Sequence, residues 1–167
     1  RRRMVIRSDF LRVLMGEDGT QSVREIIAWD HVNIDGVVGS DNSDEPSGGG
    51  SPFQAVGDYV RYVHADQKMV LTDRRKDRLP VVKTGGDEIR DQSIVFDTRD
   101  DRLRGLVASG GAGLAIFRSR INQEETVEAA KEALPTQVTY TDTLEYDRDQ
   151  NLAVFHGNTH LTRSGLE

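Results

Sequence analysis

Thr143-Leu144-Glu145-Tyr146-Asp147, then Arg148-Asp149-Gln150-Asn151, then Leu152-Ala153-Val154-Phe155-His156-Gly157-Asn158-Thr159-His160-Leu161: this stretch decides the fold. Its apolar residues alternate with polar ones at a period of two, the spacing of a strand buried on one face. The first strand closes on an aromatic residue and an aspartate, turns through four polar residues, and a second strand follows. The unit recurs toward the N-terminus. Ser93-Ile94-Val95-Phe96-Asp97 precedes Ala112-Gly113-Leu114-Ala115-Ile116, and a looser Ser8-Asp9-Phe10-Leu11-Arg12-Val13-Leu14 precedes Asp30-His31-Val32-Asn33-Ile34. No single copy can bury its apolar face. The copies must stack, and the stack is a continuous all-β trough or solenoid.

Composition agrees with a thin β architecture. The chain has 167 residues, enough for one domain with a core of its own. Hydrophobic residues make up only 36% and charged ones 30%, a balance that an extended shape with much surface tolerates best. With 28 acidic against 22 basic residues there is no strongly basic domain, so nucleic acid is not an expected partner. The runs Arg1-Arg2-Arg3 and Arg74-Arg75-Lys76 read as solvated loops or edges. Cysteine is absent, which removes disulfides and thiolate metal sites. No apolar run approaches the roughly 18 residues of a membrane helix. No signal-peptide pattern opens the chain, and both ends read as cut from something longer.

Five segments follow. Residues 4–38 form a first β repeat, and 39–52 a polar, Gly/Ser/Asp-rich flexible loop. Residues 53–120 hold the second repeat unit, with a hairpin through Ala65-Asp66-Gln67 and a strand starting after Pro80. Residues 121–135 carry one short bridging helix. Within it Val127, Ala130 and Leu134 share a face, Gln123, Glu124 and Glu125 crowd the first turn, and Pro135 lies just past the end. Residues 136–167 begin a further repeat.

The polar motifs favour architecture over chemistry. Asp97 and Asp147 recur with the repeat and sit before turn formers, where a carboxylate fixes the turn by bonding the backbone ahead. Asp41, Asp44 and Glu45 are an acidic cluster without the spacing of a calcium loop. His156 and His160 are four apart but interrupted by Gly157-Asn158, so they do not share a helix face as a zinc pair would. Ser109-Gly110-Gly111-Ala112-Gly113 lacks the following helix of a phosphate cradle and reads as a bend or a close strand approach, and Gly85-Gly86 has the same status. No nucleophile elbow, Walker lysine or convergent His/Asp/Glu cluster is present. The expectation is a protein without catalysis, metal or cofactor.

Val138 to Asp147, running through Leu152-Ala153-Val154-Phe155-His156-Gly157-Asn158-Thr159-His160-Leu161, resembles the repeat of the OstA-like (LptA-type) lipopolysaccharide transport superfamily. Thr141 and Thr159 stand where that repeat has a small residue and a valine. Asp87-Glu88-Ile89 with Ile94 to Asp97 and Gly110 to Ile116 is a second match. Phe10 to Val13 with Glu25 to Ala28 and Val32 to Ile34 is a third, with Asp30 where the family has glycine. The resemblance implies a twisted β-jelly-roll, or V-shaped two-sheet trough, of short antiparallel strands. It further implies a non-catalytic periplasmic module of a Gram-negative-type envelope that shields the acyl chains of lipopolysaccharide or a related lipid. Such modules join by edge-to-edge strand pairing with copies of themselves or with other transport components. Strand alternation nominates Ile94, Phe96, Leu114, Ile116, Leu144, Tyr146 and Leu161 as the apolar lining. The other reading is a structural β-repeat scaffold with a filled core, which assembles by its strand edges and carries no lipid. The net charge of −6 offers no general attraction to a phosphorylated head group.

Overall fold

Alternation becomes fourteen β-strands in the computed structural model, which describes residues 4–16, 22–38, 51–75, 78–99, 102–118, 135–147, 150 and 152–163. The chain opens with β1 (Val5–Arg7), β2 (Phe10–Met15), β3 (Val23–Val38), β4 (Ser51–Val63) and β5 (Lys68–Thr72). Next come β6 (Val81–Thr84), β7 (Asp87–Arg90), β8 (Ser93–Arg99), β9 (Arg102–Ser109) and β10 (Gly113–Arg118). It closes with β11 (Pro135–Tyr140), β12 (Thr143–Asp147), β13 (Leu152–Phe155) and β14 (His160–Arg163). The acidic cluster and the bridging helix expected over 122–134 lie outside the described residues, among which there is no helix. Two expected boundaries shift. Ser51 and Pro52 already belong to β4, paired with Val38 and Val37, and Pro135 opens β11 opposite Arg118. Proline is tolerated there because it begins a strand.

The strands expected over 23–28 and 32–34 are one long strand with a bulge. Trp29 pairs with Tyr59 and Val32 with Gly57, leaving Asp30 and His31 opposite Asp58 alone. Asp30 and His31 have φ of 60° and 53°, left-handed values that explain why glycine suits this position. The bulge turns β3 and β4 from one sheet into another. Before it β3 pairs with β2, and after it with β1. On β4 the later residues pair with β5 and the earlier ones with β6.

Two sheets result. The first runs β2–β3–β4–β5–β8–β9–β12–β13 and the second β1–β3–β4–β6–β7–β10–β11–β14. Pairing is antiparallel throughout except where Val38, at the end of β3, meets Leu103 of β9 in parallel. The sheets curl toward each other as a half-barrel, the V-shaped trough of the sequence reading. After β5 the chain alternates between them, two strands at a time. The crossovers stack along one edge: the Gly110-Gly111 crossover lies against Gln92, and Gly157 against Thr141 and Asp142.

Register carries the inward apolar residues across each sheet in unbroken rows. In the first sheet Leu11, Ala28, Val60, Leu71, Ile94, Ala108, Leu144 and Phe155 stand opposite one another in turn. A second row runs Val13, Ile26, Tyr62, Met69, Phe96, Leu106, Tyr146 and Ala153. The second sheet answers with Ile6, Ile34, Ala55, Val82, Ile89, Ala115, Val138 and Leu161. Each Leu, Ile or Phe fully buried contributes roughly 1.5–3 kcal/mol, so the rows together hold the sheets. Because only one face of each sheet needs apolar residues, a 36% hydrophobic content suffices.

Candidate functional site

The interior between the sheets is the candidate site, and it is filled along most of its length. Ile94, Phe96 and Leu144, all nominated from sequence, are 0–1% exposed. Rings interlock across the gap: Phe53 meets Phe96 at 6.2 Å between centroids, Tyr140 meets Phe155 at 5.6 Å, and Phe117 meets Phe155 at 6.1 Å. Small residues at Ala28, Ala55, Ala108 and Ala115 let the large ones interdigitate. Toward both ends the packing loosens. Met4, Ile6 and Tyr62 on one side and Tyr146, Ala153, Phe117 and Phe155 on the other are only partly buried against the core.

The other nominated residues divide. Tyr146 lies in the inward row beside Leu106. Leu161 is also an inward position, but it is the last described rung of its row and 63% exposed, since among the described residues β14 pairs only with β11. Leu114 and Ile116 are a correction. On β10 the inward residue is Ala115, fully buried, and Leu114 and Ile116 stand half-buried on the opposite face. The cause is spacing. Ala108 to Ala115 spans seven positions, whereas Phe155 to Leu161 spans six, so the glycine-rich crossover carries one extra residue. A slip of one residue moves every side chain of a strand to the other face.

Both ends of the trough are open. Among the described residues β2 pairs only with β3, β1 only with β3, β13 only with β12 and β14 only with β11. Leu11 and Val13 are 57% and 43% exposed although their neighbours Ala28 and Ile26 face inward. Phe10 and Met15 are exposed as well, Phe10 stacked on Trp29 at 5.5 Å. An edge strand this apolar, with Arg12 its one charge, is the kind that other strands pair with. The sequence reading missed Leu11 and Val13; their alternation with Phe10 and Arg12 was visible, but not that they end a row.

The first turn of the trough is held by charge. The Asp58 carboxylate, buried at the bulge, accepts hydrogen bonds from Arg74 Nε at 3.0 Å and Arg75 at 3.2 Å. Arg74 also donates to Asp30 at 3.0 Å and lies over the Tyr59 ring, so it ties both kinked strands to the β5–β6 crossover. Burial alone would raise the Asp58 carboxyl, but the hydrogen bond and charge of Arg74, then those of Arg75, outweigh it and hold it below the usual range. At the same corner Asp9 contacts His31 Nδ1 at 2.7 Å, and its N–H donates to the Asp30 carbonyl at 2.9 Å.

The remaining motifs are architectural. Asp147 accepts the Gln150 N–H at 3.0 Å and fixes its turn. Gly110 has φ of 110°, and a Cβ on Gly111 or Gly113 would strike Gln92 or the Tyr140 ring. His156 faces Glu145 at 3.5 Å on the first sheet while His160 contacts Thr162 at 3.3 Å on the second. A shallow groove of about 420 Å³ crosses the outer face of the first sheet, floored by Val95, Val107 and Val154 and rimmed by Lys68, Asp97, Arg104 and Asp147. No protein-family model, curated protein or solved structure matches the chain.

Proposed function

We propose that this chain is a non-catalytic bridge module of a Gram-negative-type cell envelope, working in the periplasm, which joins edge to edge with further β modules and shields lipid acyl chains. The observation that carries the proposal is the pair of inward apolar faces, which run unbroken across the strands and end on exposed rungs, Leu11 at 57% and Leu161 at 63%. A row that ends exposed is continued by whatever stacks there. Lipopolysaccharide, or a lipid of similar chains, is the cargo that the sequence resemblance implies. Each methylene taken out of water contributes roughly 0.8 kcal/mol, so the chains need no specific polar contact. Passive transfer would follow, with direction supplied from outside the module.

One observation favours a second reading, a structural scaffold that assembles by its edges and carries no lipid. Ile94, Phe96 and Leu144, at most 1% exposed, pack as core in the middle of the trough. A carried lipid would therefore enter where the packing is loose, as it is beside Tyr146, Ala153 and Phe117, and part the sheets from there.

Native mass spectrometry of protein purified from a Gram-negative host separates the readings. Adducts of lipopolysaccharide or phospholipid mass that vanish in Tyr146→Asp, with the fold checked by circular dichroism, support the carrier. Protein that is free of adducts and takes up no added lipid supports the scaffold. Tyr146 is the right position because it is partly exposed; an aspartate at Phe96 would destroy the core itself.

A further inference from the structure

Strands β3, β4, β5, β8 and β9 pair in a closed circuit. Four of its links are antiparallel ladders of at least five residue pairs. The fifth is one parallel pair, Val38 with Leu103. Val38 ends β3 far from the bulge, and Leu103 stands near the start of β9, far from the Gly110-Gly111 crossover. The pair therefore joins the two sheets along the margin opposite the crossovers. No other strand pairing among the described residues does so.

The end of β3 that makes this link is an arm. Val37 and Val38 pair with Pro52 and Ser51, whereas β1 reaches only Asp35 and β6 only Phe53. Apart from Leu103, these four residues have no strand partner outside the arm among the described residues. At its base Gly36 lies flat against the Phe53 ring, where a Cβ would come within 2.3 Å of it. Beside the arm the interior holds Leu103, 1% exposed, and Phe53, whose ring meets Phe96. A strand end held by one pair opens more readily than a ladder that continues on both sides, and parallel pairing is the less stable kind.

We infer that the Val38–Leu103 pair is a releasable clasp on the trough. While it is closed, the circuit keeps the sheets from parting midway, and an acyl chain that has entered at a loose end stops short of Phe53 and Phe96. When the arm lifts, the sheets can part there and the chain can run through. The cargo rests on the carrier reading proposed above; the movement does not.

The chain has no cysteine, so introduced thiols report cleanly. Leu103→Cys alone should react with a maleimide at least roughly tenfold faster than Leu71→Cys, equally buried on β5 but away from the arm. Equal rates would mean that Leu103 is uncovered only by global unfolding, and would overturn the inference. The double variant Val38→Cys, Leu103→Cys then locks the clasp, because paired strands lie about 4.8 Å apart, within reach of a disulfide. A diazirine-bearing palmitic acid should label peptides carrying Phe53 and Phe96 in the reduced protein. In the oxidised protein that labelling should fall at least roughly tenfold, while labelling beside Tyr146 and Phe117 persists. Unchanged labelling at Phe53 and Phe96, or thiols that do not join in mild oxidant, would also overturn it. Absence of label everywhere would remove the carrier reading, and the maleimide rates would then decide the clasp alone.

Discussion

Gly113, opposite Tyr140 in the β10–β11 pairing, shows how tightly neighbouring strands of one sheet pack at the level of single residues. A Cβ at this position would lie 2.1 Å from Cζ of the buried Tyr140 ring. Gly113→Ala should therefore destabilise the fold by about 1–3 kcal/mol, as overpacking does. The cost should shrink in a Tyr140→Leu background, because the two sites share one space. Phe96 and Leu161 make the complementary pair, one 1% and one 63% exposed on inward rows. Phe96→Ala should cost about 3–5 kcal/mol, whereas Leu161→Ala should stay within about 0.5 kcal/mol. Urea midpoints measured at fixed pH check all of these. Equal losses at Phe96 and Leu161 would mean that the last rung is covered in solution.

At the scale of elements, the bulge in β3 and the kink in β4 are what make two sheets out of one ribbon, and Asp58 is their pin. Its carboxyl is held low in the fold, so its contribution is present above the unfolded value near 3.8 and lost as pH falls through the lower folded value. Asp58→Asn should cost about 1–3 kcal/mol at neutral pH and flatten the acid side of the stability profile below about pH 4. An unchanged acid limb in urea titrations would show that Arg74 and Arg75 do not hold it. The sequence announced most of the strands because period two survives in Ile94 to Phe96 and Leu144 to Tyr146. It did not announce the kink. Asp30 and His31 read as a break between two short strands, since nothing local says that pairing resumes with the same partner. Nor did it place Leu114 and Ile116, because the face of β10 depends on how many residues Gly110 to Ala112 take to turn the corner.

For the whole molecule, the two ends differ in chemistry as well as in position. The N-terminal end offers Leu11 and Val13 on β2, and the C-terminal end offers Leu161 on β14 beside the partly covered Phe155. If copies of the chain join by these ends, as proposed, unlike ends would pair head to tail and give open-ended growth in place of a closed dimer. Sedimentation velocity over a range of concentrations should show a ladder of species for wild type, reduced to monomer in Val13→Lys and Leu161→Lys. A monomer at every concentration would confine the ends to other partners. Both sheets also follow the order of the chain, so that no strand is ever inserted between two earlier ones. During synthesis each emerging pair of strands therefore finds its neighbour already in place and adds to the rim of a finished structure. Strands such as β5, β7 and β9 wait only for the two that intervene, whereas Val38 waits longest among the described pairings, for Leu103. The ribosome, in effect, extrudes this trough from one end to the other.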